Sequence, residues 1–302
     1  MVANGSPAPL LLIANPISGG GKGRRLAPQL AAALAQRGVP AEVFFTTRAG
    51  DATARARAAG DVPRGGLVAL GGDGTVNEVL NGMPDPSRPL GVLPVGTANV
   101  LAVELGLPRR VEAAADVLAR GRHRELAIGT VHSGGGPDRR FLLFASAGID
   151  GDICERLQQV RTGTLGKHKW FAPILRTLRR WPQFSLRATL ADGSVLDDLQ
   201  TVLVSRVRNF GGWLRLTPEV DAGSGLLHVL GFRSRSRLGW LWHGARGLCG
   251  GLCAGRGLVT RTTTALRIDG RAPVQVDGDF AGYSPLELGL APVKARIFAP
   301  AD

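Results

Sequence analysis

A glycine-rich segment with an aspartate between its first glycines is the part of the chain best suited to chemistry. It reads GGDGTVNEVLNG, from Gly71 to Gly82, and it follows an apolar stretch at residues 67–70. Glycines between a strand and a helix let backbone N–H groups approach an anion, and the helix start adds positive partial charge. Asp73 would repel bare phosphate but suits a site where a divalent cation or a ribose hydroxyl lies between them. The segment therefore predicts a magnesium-bound nucleoside triphosphate and, with it, phosphoryl transfer.

Two further glycine-containing loops support this prediction. The first covers residues 15–23, where backbone N–H groups and Ser18 could hold phosphate and Lys22 could add charge. It is not a Walker A loop, because no Gly-Lys-Ser/Thr follows at the required spacing. The second covers residues 94–99, where Thr97 and Asn99 can donate to nucleotide oxygens. Glycine at one strand end is usually just turn chemistry, but three such loops in this order indicate a nucleotide site.

The elements that must position these loops alternate between strand and helix over the first 120 residues. We predict strands at residues 10–14, 39–46, 67–70 and 90–94, with helices at 26–34, 51–59, after 75, at 98–105 and at 111–119. Such alternation predicts an α/β domain, a mainly parallel sheet with helices on both faces. Ligands bind such sheets at the carboxyl ends of the strands, where all three loops fall.

The pattern changes after Gly121. Seven apolar runs predict strands, at residues 126–131, 141–145, 184–190, 200–207, 225–231, 265–268 and 273–276. Asp192-Gly193 is a favourable hairpin turn, and only residues 153–160 and 170–180 have helical spacing. We therefore predict two domains: residues 1–125 bind nucleotide, and residues 126–302 form an antiparallel β-sandwich. The last strand is a candidate to return to the first domain.

Length and composition indicate a folded protein. The 302 residues suffice for two domains, and 44% of them are hydrophobic. Three cysteines form no even disulfide framework, and no second ligand pair accompanies Cys249 and Cys253 to make a zinc site. No signal peptide or membrane-spanning stretch is visible, so we expect a cytoplasmic protein with reduced cysteines.

The net charge of +13 is unevenly distributed. Residues 156–191 and 225–268 contain no acid but many basic side chains, interleaved with Trp170, Trp181, Trp240 and Trp242. Arginine and tryptophan on one surface suit an anionic membrane interface, where each basic residue contributes about 1 kcal/mol. No recognition motif supports nucleic acid as the partner. We expect a peripheral association with the inner leaflet; an ordinary solvated surface is the alternative.

The motifs resemble those of the diacylglycerol kinase catalytic family, in particular bacterial lipid kinases related to sphingosine kinases. The matching segments are NPISGG, GGDGTVNEVLNG, LGVLPVGTANVLAVELGLP, TPEVDAGSGLLHV and VDGD. The resemblance implies a nucleotide-binding domain, a β-rich lipid domain and an active site in the cleft between them, with ATP and Mg²⁺ as cofactors. The residues implied to bind ATP are Asn15, Pro16, Ser18, Gly19, Thr46, Gly71, Gly72, Asp73, Gly74, Thr75, Asn77, Glu78, Gly96, Thr97 and Asn99.

The same resemblance implies transfer of the γ-phosphate of MgATP to a lipid hydroxyl, most readily that of diacylglycerol. The catalytic base of the family lies in an Asp-Gly-Glu motif, which here reads Asp277-Gly278-Asp279. A carboxylate near the acceptor can take its proton as the bond to phosphorus forms. We expect Asp277, Asp279 and Asp73 to be the catalytic residues and leave open which of the first two is the base. Taken alone, the motif would be a surface hairpin turn.

The chain departs from the family pattern at further positions. Val100 stands where many relatives carry Asp, which we interpret as a subfamily trait. Ser224-Gly225-Leu226-Leu227 replaces the usual Asp-Gly-Leu-Leu, whose Asp helps to bind a structural magnesium ion in some relatives. Serine is a poor magnesium ligand by comparison, although Asp221 could compensate. The candidate metal ligands are thus Asp73, Asp221 and Ser224.

Two other functions remain open from the sequence. NAD kinases also use a GGDGT loop, but neither NPISGG nor the basic stretches favour a soluble dinucleotide acceptor. A membrane-associated regulator that binds nucleotide without catalysis is suggested by Ser224 and Asp279. A homodimer through exposed sheet edges is a further candidate assembly.

Overall fold

The chain forms two compact units, Met1–Leu126 with Val293–Asp302, and Ala127–Pro292. A computed structural model describes residues 8–60, 65–133, 137–159, 170–212, 214–217, 219–249, 251–252, 254–255 and 257–301. Some residues of the predicted basic stretches, such as Arg161, Lys167, Lys169 and Arg256, lie outside the described residues, as does Cys253.

The first unit alternates strands and helices. Their bounds are β1 Leu10–Ala14, α1 Ser18–Gln36, β2 Ala41–Phe45, α2 Asp51–Ala58, β3 Gly66–Gly71, α3 Asp73–Gly82, β4 Leu90–Pro94, α4 Val100–Glu104 and α5 Val111–Arg120. The strands lie in the order β2-β1-β3-β4 and all run parallel. Every residue of β1, β3 and β4 is buried, as expected for a parallel sheet covered on both faces.

The core of this unit follows from the two-residue period of the strands. Leu10, Leu12 and Ala14 of β1 join a buried cluster with apolar residues of α1 and α5. Helices α2 and α3 pack against each other and contact β1 and β3. The register places Ala14 level with both Phe45 and Leu70, and Gly71 level with Pro94. The loops that follow the four strands therefore begin at one edge of the sheet.

The second unit is rich in strands, and β5 enters it from the first unit. The remaining bounds are β5 His123–Ser133, β6 Arg139–Phe141, β7 Phe144–Ala147, α6 Ile149–Gln159, α7 Phe171–Arg180, β8 Leu186–Leu190, β9 Val195–Leu199, β10 Thr201–Ser205, β11 Asn209–Phe210, β12 Leu214–Arg215, β13 Leu227–Phe232, α8 Arg237–Cys249, β14 Leu258–Thr263, β15 Leu266–Asp269, β16 Pro273–Val276, β17 Asp279–Tyr283 and β18 Leu286–Phe298.

Two antiparallel layers make up this unit. One has the order β14-β13-β10-β7-β16-β17, and the other contains β15 between β18 and β8, followed by β9. Val202, Val204 and Val274 of the first layer share one buried cluster with Ala188 and Ile268 of the second. Facing layers with a common apolar core form a β-sandwich. The predicted fold class, a mainly parallel α/β domain followed by an antiparallel β-sandwich, is confirmed.

The last long strand, β18, serves both units. Its first residues pair antiparallel with β15, and Ile297 near its end pairs parallel with Leu90 of β4.

The prediction of only two helices after residue 125 is wrong, because α8 spans Arg237–Cys249. Gly239, Gly244 and Gly247 lower its helix propensity, and its large apolar side chains lie on both faces: Trp240 stacks on Phe232, while Leu238 and Trp242 are exposed. The usual amphipathic signal is therefore weak. The predicted strand at 141–145 is instead β6 and β7, separated by residues 142 and 143. No helix within the described ranges is both long and apolar enough to cross a membrane.

Candidate active site

Three loops of the first unit pack backbone against backbone where side chains would not fit. A Cβ atom on Gly19 would lie 2.2 Å from the carbonyl oxygen of Val95, and Gly19 has φ of 62°. A Cβ atom on Gly96 would lie 2.4 Å from the Cα atom of Gly72. Real Cβ atoms do not approach other atoms so closely, and the left-handed backbone of Gly19 favours glycine as well. The loops after β1, β3 and β4 are therefore in contact, as the nucleotide hypothesis requires.

The loop after β1 is organised by Asn15. Its Oδ1 accepts a hydrogen bond from the N–H of Ile17 at 3.2 Å, and its carbonyl oxygen accepts one from buried Ser18 at 3.2 Å. Pro16, half-buried, accepts a bond from Arg24. The next residues, 19–21, all have positive φ, so regular helix begins only after them. A turn of this kind can gather N–H groups around an anion.

Asp73 joins the second loop to the third. Its Oδ1 accepts a hydrogen bond at 3.3 Å from the N–H of Leu101, in the first turn of α4. Burial raises the pKa of the Asp73 carboxyl, and the N–H groups of Val100 and Leu101 partly offset this effect. Asp73 therefore already positions the backbone after β4, in addition to its predicted work on magnesium and phosphate. Thr75 lies directly under Gly71, where a Cβ atom would be 2.2 Å from its Oγ1.

The other predicted nucleotide residues differ in their availability. Thr46 is buried and bonds the carbonyl oxygen of Ala14 through its N–H, while Thr97 is exposed. The Glu78 carboxylate accepts a bond from the N–H of Gly50 at 3.1 Å, so it helps to hold the start of α2. Asn77 accepts a bond from Asn81 at 3.1 Å. Gly74 follows Asp73 in the first turn of α3.

Asn99 provides a test of whether a nucleotide fits. It has φ of 51°, and its Nδ2 donates to the carbonyl oxygen of Gly96 at 2.8 Å. Its Oδ1 is buried with no hydrogen-bond partner within the described part of the chain. Buried polar atoms rarely lack hydrogen-bond partners, so Asn99 Oδ1 can accept a hydrogen bond from a donor group of a bound ligand. The hydroxyl and amino groups of a nucleotide are such donors, so a nucleotide fits this site.

Magnesium fits the same edge only with help from phosphate oxygens. No group of three or more His, Cys, Asp or Glu side chains that could hold a metal ion exists among the described residues. Mg²⁺ is usually held by one or two carboxylates together with substrate phosphates. Asp73 is suited to this arrangement.

The Asp277-Gly278-Asp279 motif forms the hairpin turn between β16 and β17, but Asp277 is not on the surface. Val276 is level with Asp279, and Asp277 and Gly278 have φ of 49° and 88°. The buried Asp277 carboxylate accepts backbone bonds from Leu142, Leu143 and Phe144 at 3.2, 3.1 and 3.0 Å. Three such bonds commit both of its oxygens to holding the segment between β6 and β7. Asp279 follows on the turn and is half-buried.

A network of residues that the sequence analysis missed supports this turn. The side chain of fully buried Gln275 accepts a bond from the N–H of Gly278 at 2.8 Å and donates to Ser146 Oγ at 2.9 Å. Ser146 in turn donates to Asp150, whose Oδ1 has no partner in the described structure. Burial raises the pKa of Asp150. Ser146 and Asp150 lie about 130 residues before the motif, so no local signal could have revealed the network.

The two remaining metal candidates lie in a turn that is bonded within itself. Asp221 Oδ1 accepts the N–H of Gly223 at 3.0 Å, and Ser224 Oγ donates to the carbonyl oxygen of Asp221 at 2.8 Å. The guanidinium of Arg206 lies against the carbonyl oxygens of the same turn. These residues do not offer a divalent cation an open set of ligands.

Comparison with known proteins agrees with the geometry. The family model of the diacylglycerol kinase catalytic domain matches residues 9–131. A diacylglycerol kinase of Mycobacterium tuberculosis is 29% identical over 297 residues, covering 95% of this chain and 94% of its own length. One of Staphylococcus saprophyticus is 30% identical and covers 72% of this chain and 71% of its own length.

A solved structure shows the same fold. The crystal structure of a diacylglycerol kinase from Bacillus anthracis is 21% identical, with a TM-score of 0.72 and coverage of 97% of both chains. The predicted family and the predicted enzyme class are thereby confirmed. With the loops of the first unit and the matches over nearly the whole length taken together, the chain belongs to the diacylglycerol kinase catalytic domain family, a family of lipid kinases.

Proposed function

We propose that the chain transfers the γ-phosphate of MgATP to the hydroxyl group of diacylglycerol, giving phosphatidic acid. The observation that carries this proposal is the mutual packing of the three loops at one edge of the first sheet, through Gly19, Gly96 and Asp73. The names of the relatives support diacylglycerol as the acceptor.

The loops of the first unit would bind and orient ATP. The turn at residues 15–21 offers backbone N–H groups to phosphate, and Asn99 Oδ1 offers an acceptor. Asp73 would bind the magnesium ion of MgATP while its Oδ1 keeps the first turn of α4 in place. When bound, magnesium supplies positive charge that neutralises the β- and γ-phosphates.

We assign the role of general base to Asp279. Asp277 holds three N–H groups, so moving it or protonating it would release residues 142–144. Asp279 would take the proton of the lipid hydroxyl. As it does so, the hydroxyl oxygen bonds to the γ-phosphorus, and the bond between the γ-phosphorus and the oxygen of ADP breaks. Its side chain is one methylene shorter than the family's Glu, so the acceptor must approach the turn more closely or through a water molecule.

The lipid acceptor requires contact with a bilayer, and α8 has a suitable face. Its outward side carries Leu238, Leu241, Trp242 and Leu248, which are 78%, 55%, 63% and 63% exposed. These positions share one stripe of the helix. In a water-facing helix that side would be polar, so an apolar outward face indicates a partner.

The end of α7 lies beside the start of α8 and adds to this surface. Arg237 donates to the carbonyl oxygen of Arg179 at 2.9 Å, and Trp181 Nε1 donates to that of Arg235 at 2.7 Å. Phe171 on α7 is 73% exposed. Arg235 is paired with Asp198, while Arg179, Arg180 and Arg237 are exposed at this junction, so the charge of the surface complements anionic lipid headgroups. A second copy of the chain would instead bring like charges together. We propose that this surface docks on the cytoplasmic leaflet, where ATP is available.

Transfer of labelled γ-phosphate tests the kinase proposal. The purified chain is incubated with MgATP and a total lipid extract containing diacylglycerol, beside Asp279→Asn and the matched control Asp192→Asn, whose side chain caps an exposed hairpin turn. We expect labelled phosphatidic acid from the unmutated chain and the control alone. Label on NAD and on no lipid would overturn the proposal in favour of NAD kinase. ATP binding without transfer to any lipid would support the regulator.

Vesicle co-sedimentation tests the docking surface. We expect the chain to bind phosphatidylglycerol vesicles and to bind neutral phosphatidylcholine vesicles weakly. The variant Trp242→Ala should weaken binding, while Val195→Ala, which removes an exposed apolar side chain from β9, should not. Unchanged vesicle binding by Trp242→Ala together with a loss of dimers in solution would assign the face to a second copy.

A further inference from the structure

The side chain of Arg206 is surrounded by backbone carbonyl oxygens. Arg206 follows β10 and is completely buried. Its Nη2 donates to the carbonyl oxygens of Ala222 and Ser224 at 2.7 and 2.6 Å, and its Nη1 donates to that of Leu226. Its Nε donates to Ala127 at 3.3 Å. Four carbonyl oxygens from two segments thus converge on one guanidinium.

This environment differs from that of an ordinary buried ion pair. No carboxylate of the described residues lies within salt-bridge distance of Arg206, whose hydrogen-bond partners are all backbone oxygens. Burial lowers the pKa of Arg206, and the charge of Asp221 partly offsets this effect. Carbonyl oxygens gathered from a short turn are the ligands that proteins offer to hard cations. The five N–H donors of a guanidinium can satisfy the same carbonyl oxygens without a carboxylate ligand.

The residues around the turn are consistent with one built-in cation. Ser224 brings no charge to the turn, and its Oγ donates to the carbonyl oxygen of Asp221. The Nε2 atom of His228 accepts from the N–H of Asp221 at 3.3 Å. Ser224 and His228 thus bond the turn within itself, and Arg206 is the cation that its carbonyl oxygens hold.

We infer that the guanidinium of Arg206 replaces a structural divalent cation in the turn at residues 221–226. The turn folds around the side chain of Arg206, and the second unit needs no metal for stability. Magnesium is then required only with the nucleotide.

Thermal unfolding of the full chain tests this inference without nucleotide or lipid, so the result is independent of the proposed kinase activity. For the unmutated chain we expect the same Tm in EDTA and in excess Mg²⁺, and no stoichiometric divalent metal by elemental analysis. Arg206→Met should lower Tm by roughly 5 °C or more, because the carbonyl oxygens lose their donors. Magnesium should not restore it, since the one carboxylate of the turn, that of Asp221, is bonded within the turn.

A paired substitution recreates the metal site. In Arg206→Ala/Ser224→Asp the cation position is open and an acid is present, so we expect Mg²⁺ to raise Tm. Ser224→Asp alone, with Arg206 in place, should show no such response. A fall in the Tm of the unmutated chain in EDTA would overturn the inference, as would Mg²⁺ stabilisation of Ser224→Asp alone. These two measurements remain decisive even if the variants of Arg206 do not fold.

Discussion

The glycine-containing loops of the first unit and the acid turn of the second, Asp277-Gly278-Asp279, are held in place by opposite means. In the first unit, glycines allow main chains to approach closely, as at Gly19 and Gly96. In the second, side chains reach across the fold to distant backbone groups, as Asp277 does to residues 142–144 and Arg206 does to residues 222–226. The first region depends on glycines that have no Cβ atom, and the second depends on hydrogen bonds between residues far apart in the sequence. Substitutions should therefore fail differently in the two regions.

The largest effect is expected for the residue that does chemistry in the second region. Asp279→Asn removes the proposed base, and loss of a general base costs roughly 10²–10⁴-fold in rate. We expect kcat for lipid phosphorylation to fall by this order while Tm stays near that of the unmutated chain. Asp279→Glu, which restores the family's side chain, should retain activity. Full activity of Asp279→Asn would assign the proton transfer elsewhere.

A substitution in the first region should act through crowding. In Gly96→Ala the new Cβ atom meets the Cα atom of Gly72, so the loops after β3 and β4 must separate. Overpacking of this kind costs typically 1–3 kcal/mol. We expect weaker ATP binding by titration and a lower Tm.

Gly244→Ala is the matched control for crowding, because a Cβ atom there meets nothing within 4 Å. It should leave ATP binding unchanged. Equal losses from both substitutions would show that close approach of the loops does not matter for the nucleotide.

Asp277 should separate positioning from catalysis in the second region. Asp277→Asn replaces one carboxylate oxygen by an amide donor that faces backbone N–H groups, leaving at least one of them unsatisfied. A buried unsatisfied donor costs about 1–3 kcal/mol. We expect a lower free energy of unfolding in denaturant titrations, accompanied by a smaller loss of kcat than in Asp279→Asn. Loss of kcat with unchanged stability would instead identify Asp277 as the base.

The sequence predicts the first region far better than the second. The strands before the loops are continuous apolar runs, and Leu10–Ala14 and Leu90–Pro94 have their predicted bounds. Glycines at their ends reveal where main chains approach. By contrast, Ser146, Asp150 and Arg206 carry no local pattern, because their partners lie far away in the chain. Helix α8 was missed for another reason: it contains glycines, and its apolar side chains lie on both faces, so the amphipathic pattern is weak.

The smallest expected effect concerns Asp150 and depends on pH. Burial raises the pKa of this carboxyl in the folded chain above its ordinary value, so the ionised form is disfavoured by folding. The stability of the unmutated chain should therefore be lost gradually as pH rises through that raised pKa. Asp150→Asn stays neutral and keeps an oxygen for Ser146 and Gln275. The difference in Tm, variant minus unmutated chain, should thus become more positive between acidic and alkaline pH. A Tm difference that does not change with pH would mean that folding does not disfavour the ionised form of Asp150. The Oδ1 atom of Asp150, which has no partner in the described structure, would then not lower the stability of the fold.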